Sequence, residues 1–215
     1  MAIIIDSGVI TAWESIVRLM AAHLPGCLDQ IMEDYARDAA RRFFTDSKVW
    51  RERDKTLATT VIGTRTYAVS GIPGSAQISD VHVAFANGLE VDIGQAGDED
   101  DELGTETNAV WVVTANPPDS IMLTPGPDTA GIVIKGTLSY TSSNNATGIP
   151  TKVFDLWGRD IAAGAVAELQ AQPSKPWSNP TMVGDNRRKF DRAVSDASMM
   201  GGPIARKGLR TRGWY

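Results

Sequence analysis

The groups able to do chemistry in this chain are few and widely spaced. There are two histidines, His23 and His82, and one cysteine, Cys27. A general acid or base needs a partner within hydrogen-bond reach. Neither histidine has one identifiable by spacing, so each reads as a surface or satisfied core residue rather than a base. The alternation around residues 81–85 places His82 on the polar face of a strand. Cys27 follows Pro25-Gly26 at the expected start of a helix, where the dipole can lower a thiol pKa. The competing reading of Cys27 is a small apolar packing residue. Patterns such as Cys-x-x-Cys, His-Glu-x-x-His, Gly-x-Ser-x-Gly and a phosphate loop are absent from the sequence. No enzymatic activity, metal or cofactor is expected.

Two charged segments remain. Asp98, Glu99, Asp100, Asp101 and Glu102 form an acidic run. Calcium loops alternate their carboxylates and place a glycine at the sharp turn. These five are consecutive, so neighbours point apart and the run reads as a solvated loop. The C-terminal stretch carries Arg206, Lys207, Arg210, Arg212, Trp214 and Tyr215. Such a tail can hold phosphate and stack on a base, dock on a protein through arginine and aromatic anchors, or fray as a terminus.

Composition narrows the classes. The net charge of −5 over 215 residues gives no bulk attraction to nucleic acid. Hydrophobic residues at 42% and charged residues at 22% are an ordinary globular balance. No apolar run approaches the ~20 residues of a membrane span. The run at residues 3–5 is too short for a signal peptide and stops at Asp6. The sequon Asn145-Ala146-Thr147 reads as chance. A single cysteine excludes an internal disulfide.

The positioning elements follow from periodicity. Trp13, Ile16, Val17, Met20 and Leu24 make one helical stripe, with Thr11 and Glu14 as a capping box. Pro25-Gly26 breaks it. A second helix, over about residues 28–45, places Leu28, Ile31, Met32, Tyr35, Ala39 and Phe43 on one face. Its other face pairs Glu33 with Arg37 and Asp38 with Arg42, one turn apart. From residue 57 short strands take over: 57–61, 66–69, 81–85, 89–93, 110–114, 121–123 and 132–140. Asn87-Gly88 between alternating runs signals a hairpin. After Pro150 the helical period returns with Val153, Leu156, Trp157, Ile161 and Leu169, and a last helix runs from about 180 to 199. Segregated helices and strands imply α+β: a helical bundle built from both chain ends, with an inserted antiparallel β sandwich or barrel. The segments are a helical hairpin (1–52), the β domain (53–149), closing helices (150–200) and a basic aromatic tail (201–215).

Leu24-Pro25-Gly26-Cys27, the run Ala36-Arg37-Asp38-Ala39-Ala40-Arg41-Arg42-Phe43, and Val49-Trp50-Arg51 resemble the N-terminal signature of head–tail connector proteins of tailed bacteriophages. These are also called adaptor or neck proteins, and tail tubular protein A in some short-tailed phages. Trp157-Gly158, the segment 161–165, Lys175-Pro176-Trp177-Ser178-Asn179-Pro180, Phe190 and Ala197 resemble that family's closing helices. The resemblance implies a virion protein forming a ring, commonly twelvefold, that connects the portal to the tail or nozzle and extends the channel for passing DNA. In that setting Arg37, Arg41, Arg42, Trp157 and Trp177 are expected to pack copies together. The acidic residues 98–102 are expected to line the lumen or a face meeting the next component, where twelve copies at −5 each discourage DNA from adhering. The tail residues Arg206, Lys207, Arg210, Arg212, Trp214 and Tyr215 are expected to dock on the portal, with 204–215 disordered until they do. The alternatives are a tail terminator or completion ring, and a β-domain binding module. The module needs exposed aromatics, and Trp111 among valines reads as core instead.

Overall fold

A computed structural model describes residues 9–93 and 111–200 of the chain. Helix α1 (Trp13–Ala21) buries Trp13, Ile16, Val17 and Met20, the face its spacing requires. The expected capping box does not form. Ala12 is the N-cap residue and has no side-chain cap bond. Thr11 lies instead in strand β1 (Ile10–Ala12), and its hydroxyl donates to the Thr151 hydroxyl at 2.9 Å. The Trp13 amide is satisfied by the Thr147 carbonyl at 3.4 Å, and its indole N–H by Ala146 at 2.7 Å.

Helix α2 (Asp29–Ser47) buries Met32, Ala36, Ala39, Ala40, Phe43, Phe44 and Ser47. The expected stripe is only partly the buried face. Leu28 is 67% exposed at the N-cap, and Ile31 and Tyr35 are half-buried. The buried arc is turned and widened because α2 has several neighbours: α1, two further helices and the sheet. Lys48 ends α2 in the left-handed region at φ 49, ψ 32, where glycine or asparagine is usual.

Helix α3 (Thr151–Gln170) lies against α1, α2 and helix α4 (Pro180–Met200). It therefore buries residues on most of its circumference, but Leu156, expected on the packing face, stays 47% exposed. Gly164 lets α4 approach, since a Cβ there would overlap the Phe190 ring.

Among the described residues the strands form two sheets. β1 pairs antiparallel with β9 (Gly148–Pro150), at the two ends of the intervening strands. The large sheet has seven strands: β2 (Arg51–Thr59), β3 (Thr66–Ala68), β4 (Ala76–Ala86), β5 (Leu89–Ile93), β6 (Val112–Asn116), β7 (Ser120–Thr124) and β8 (Val133–Ser142). It is curled, in the order β2-β8-β4-β5-β6-β7-β3, like half a barrel. The pairing is antiparallel except between β5 and β6, which are parallel. The chain is thus mixed α and β, with four helices among its described residues. Asn87 and Gly88 form the expected turn, with φ of 49 and 84. β2 begins at Arg51, well before the expected residue 57. Its first half lacks an apolar alternation and is held by its ladder to β8, with a bulge where Asp54 takes φ 53.

Stacked rings join helices to sheet. Phe43 meets Phe190 of α4 at 6.3 Å and Trp157 of α3 at 5.6 Å between centroids. Phe44 meets Trp50 at 5.1 Å, and Trp50 meets Tyr140 of β8 at 5.9 Å. Phe43→Ala is expected to cost about 3–5 kcal/mol, and Leu28→Ala, on the open side of the same helix, less than about 0.5 kcal/mol. Urea denaturation of the two variants checks the contrast.

Candidate functional site

The residues expected to join copies are engaged within the chain. Arg37 pairs with Glu33 at 2.5 Å, donates to the Asn144 carbonyl at 3.2 Å and lies over the Trp13 ring. Arg41 donates to the Ser142 carbonyl at 3.3 Å and to Asn144 Oδ1 at 2.6 Å. Arg42 faces Asp46, Glu168 of α3 and Asp191 of α4 at 3.6, 3.4 and 3.8 Å, over the Phe190 ring. Trp157 is buried against Phe43, and Trp177 is buried with Lys175 over its ring. Asp98 to Glu102 and Arg206 to Tyr215 lie outside the described residues.

The two turns carrying the motif residues meet. A Cβ on Gly26, which has φ 77, would sit 4.0 Å from Pro176 Cβ. Gln170 organises the junction. Its Nε2 donates to the His23 carbonyl at 3.3 Å, its Oε1 accepts from Asn186 Nδ2 at 3.1 Å, and its carbonyl accepts from the Asn179 amide at 3.0 Å. Gln170 and Asn186 are both buried, and each bond satisfies a group that burial would otherwise penalise. Gln172 adds a bond from its Nε2 to the Tyr35 hydroxyl at 2.7 Å.

Beside this hub an open groove of about 470 Å³ is lined by Leu19 and His23 from the α1 end, Arg159, Asp160, Ala163 and Val166 of α3, and Asn186 and Lys189 of α4. Asp160 and Lys189 also border a neighbouring depression with Leu156, Arg192 and Asp196. Burial raises the Asp160 pKa, with Lys189 opposing and Asp196 adding to the rise. The lining mixes short apolar side chains with both signs of charge.

Cys27 does not gain reactivity from the helix start: burial raises its pKa. His82 is not on a polar face; its side chain is 4% exposed, and burial pushes its pKa down to about 4. Tyr140, missed in the sequence, is buried and donates to Glu52 Oε2 at 2.7 Å, which with burial raises its pKa. Lys55 donates to the same oxygen at 2.7 Å and to the Gly71 carbonyl at 3.0 Å. No signal in the polar run 51–56 announces this group. Among the described residues, no group of three or more His, Cys, Asp or Glu is placed to hold a metal ion. Trp111 is buried in the core, as its valine neighbours imply. No helix among the described residues is long and apolar enough to cross a membrane.

No model of a known protein family matches the chain, and no curated protein matches it.

Gln170→Leu strands the Asn186 amide and the His23 carbonyl, and is expected to lower stability by about 1–3 kcal/mol. Arg188→Ala, which removes only an exposed pair with Asp185, should change it by less than about 0.5 kcal/mol. Thermal unfolding of both variants measures the difference.

Proposed function

We propose that this chain is a head–tail connector of a tailed bacteriophage, a virion protein that forms a ring between portal and tail and extends the DNA channel. The observation that carries this reading is the meeting of the two resembling segments. They are separated by more than a hundred positions in the sequence. Yet the Phe43 ring of the first meets Trp157 and Phe190 of the second in tilted and edge contacts, and the Gly26 turn lies against Pro176. A motif spread over both chain ends is consistent with a single packing unit. In this reading the four helices act as a bundle from both ends, and the curled sheet is carried by it as an insertion.

A closed ring uses heterologous contacts, one patch against a different patch of the next copy. The engaged Arg37, Arg41 and Arg42 stiffen each copy. The groove at Asp160 and Lys189, with exposed Leu156 beside it, is then the surface offered to a neighbour. The basic aromatic tail serves as the portal anchor, and the acidic run faces the channel or the next component.

The test is mass measurement of the protein alone and after mixing with portal rings of its phage. A monomer that joins the portal as a ring supports the reading. Failure to bind portal, with binding to the tail tube instead, favours a terminator or completion ring. Truncation before Ile204 is expected to reduce attachment to DNA-filled heads several-fold, and unchanged attachment removes the tail from the portal contact.

A further inference from the structure

Helix α2 is tied to the sheet at its C-cap residue. Lys48 Nζ lies 2.5 Å from Asp80 Oδ2 on β4. Asp80 and His82 each stand at a break in the β4–β8 register, one between Ile78 and Asp80, the other between Val81 and Val83. Such bulges re-aim side chains out of the regular ladder. His82 Nδ1 is 4.0 Å from the same Asp80 oxygen that holds Lys48. The other ring nitrogen, Nε2, is buried with no hydrogen-bond partner. Arg51, at the start of β2, adds a second positive charge to the field at His82. Ser139 of β8 is the residue paired with both Arg51 and Asp80.

We infer that Lys48, Asp80 and His82 form an acid-operated latch between helix α2 and the sheet. With a neutral imidazole, one carboxylate serves one ammonium and the helix end is held. A protonated imidazole competes for the same Oδ2. Two cations, Lys48 and His82, then stand within 4.0 Å of one Asp80 oxygen. Lys48 is the member able to leave, since its side chain is 36% exposed while that of His82 is 4% exposed. Release of Lys48 loosens the α2–β2 junction, where Val49 and Trp50 are buried.

The sign follows from linkage. The His82 pKa falls from 6.5 to about 4 on folding, because burial outweighs the attraction of Asp80. The unfolded chain therefore binds the proton first as pH falls. The stabilisation is complete above about 6.5 and is lost as pH falls through about 4.

The test follows the imidazole ring signal of His82 and the backbone amides of 47–51 by NMR on the full chain, from neutral to acid pH. The expected result is a shared midpoint at these sites, ahead of any change in α1 and α3. His82→Gln should abolish the amide shifts, Asp80→Asn should move the midpoint to lower pH, and Lys48→Met should move it to higher pH. If His82→Gln does not fold, the opposite displacements in the Asp80 and Lys48 variants still decide the matter. Amides at 47–51 that ignore the His82 titration, or a midpoint unmoved by Lys48→Met, overturn the latch. So does loss of all tertiary signals in one step, because the junction then does not open first.

Discussion

The structure depends on a line of aromatic contacts that runs from α4 to β8. Phe190, Phe43, Phe44, Trp50 and Tyr140 follow one another at centroid distances between 5.1 and 6.3 Å, with Trp157 flanking Phe43. Each is buried. Rings of this size bury more apolar area than any other side chain and gain further from edge and tilted geometries. Adjacent phenylalanines on α2 point to different neighbours: Phe43 to α3 and α4, Phe44 towards Trp50 and the sheet. The helix thereby fixes two layers at once. The orientation of α2 is the quantity on which the other elements depend, because α2 contacts α1, α3, α4 and β8.

Polar contacts supply direction where apolar burial does not. Burial alone would let helices slide, since the hydrophobic effect is non-directional. Gln170 bonds to His23, Asn179 and Asn186 and so sets the register of the α1 end, α3 and α4. Arg41 does the same between α2 and the end of β8, and Arg42 between α2, α3 and α4. Several of these are half-exposed ion pairs of small individual worth. Their common effect is to commit the cationic face of α2 to the chain itself. The groove beside Asp160 is lined by the α1 end, α3 and α4.

Much of the fold was legible because its determinants are local. The stripe of α1, the breaking effect of Pro25-Gly26 and the Asn87-Gly88 turn each depend on a few consecutive residues. The misses share a different cause. Leu28 and Leu156 fit a helical stripe but are 67% and 47% exposed, because which arc of a helix is buried depends on its neighbours. Thr11 with Glu14 has capping-box spacing, yet Thr11 was drawn into pairing with β9 from beyond the large sheet. The first half of β2 has no periodicity at all. Of the candidate site, the aromatic members at 157 and 177 were visible as residues, while Gln170 carried no signal, since nothing in its neighbours sets it apart from Gln172.

By itself the sequence determined the order of helical and strand regions and the turn positions, since period and turn chemistry act over one or two turns of chain. Only the tertiary structure decided that His82 is buried beside Asp80 rather than solvated, that Arg37, Arg41 and Arg42 close on their own chain, and that Gly26 and Pro176 become neighbours. The physical reason is that burial and electrostatic environment belong to pairs of elements brought together across long stretches of sequence. A side chain's partner, unlike its helical phase, is not written in the residues beside it.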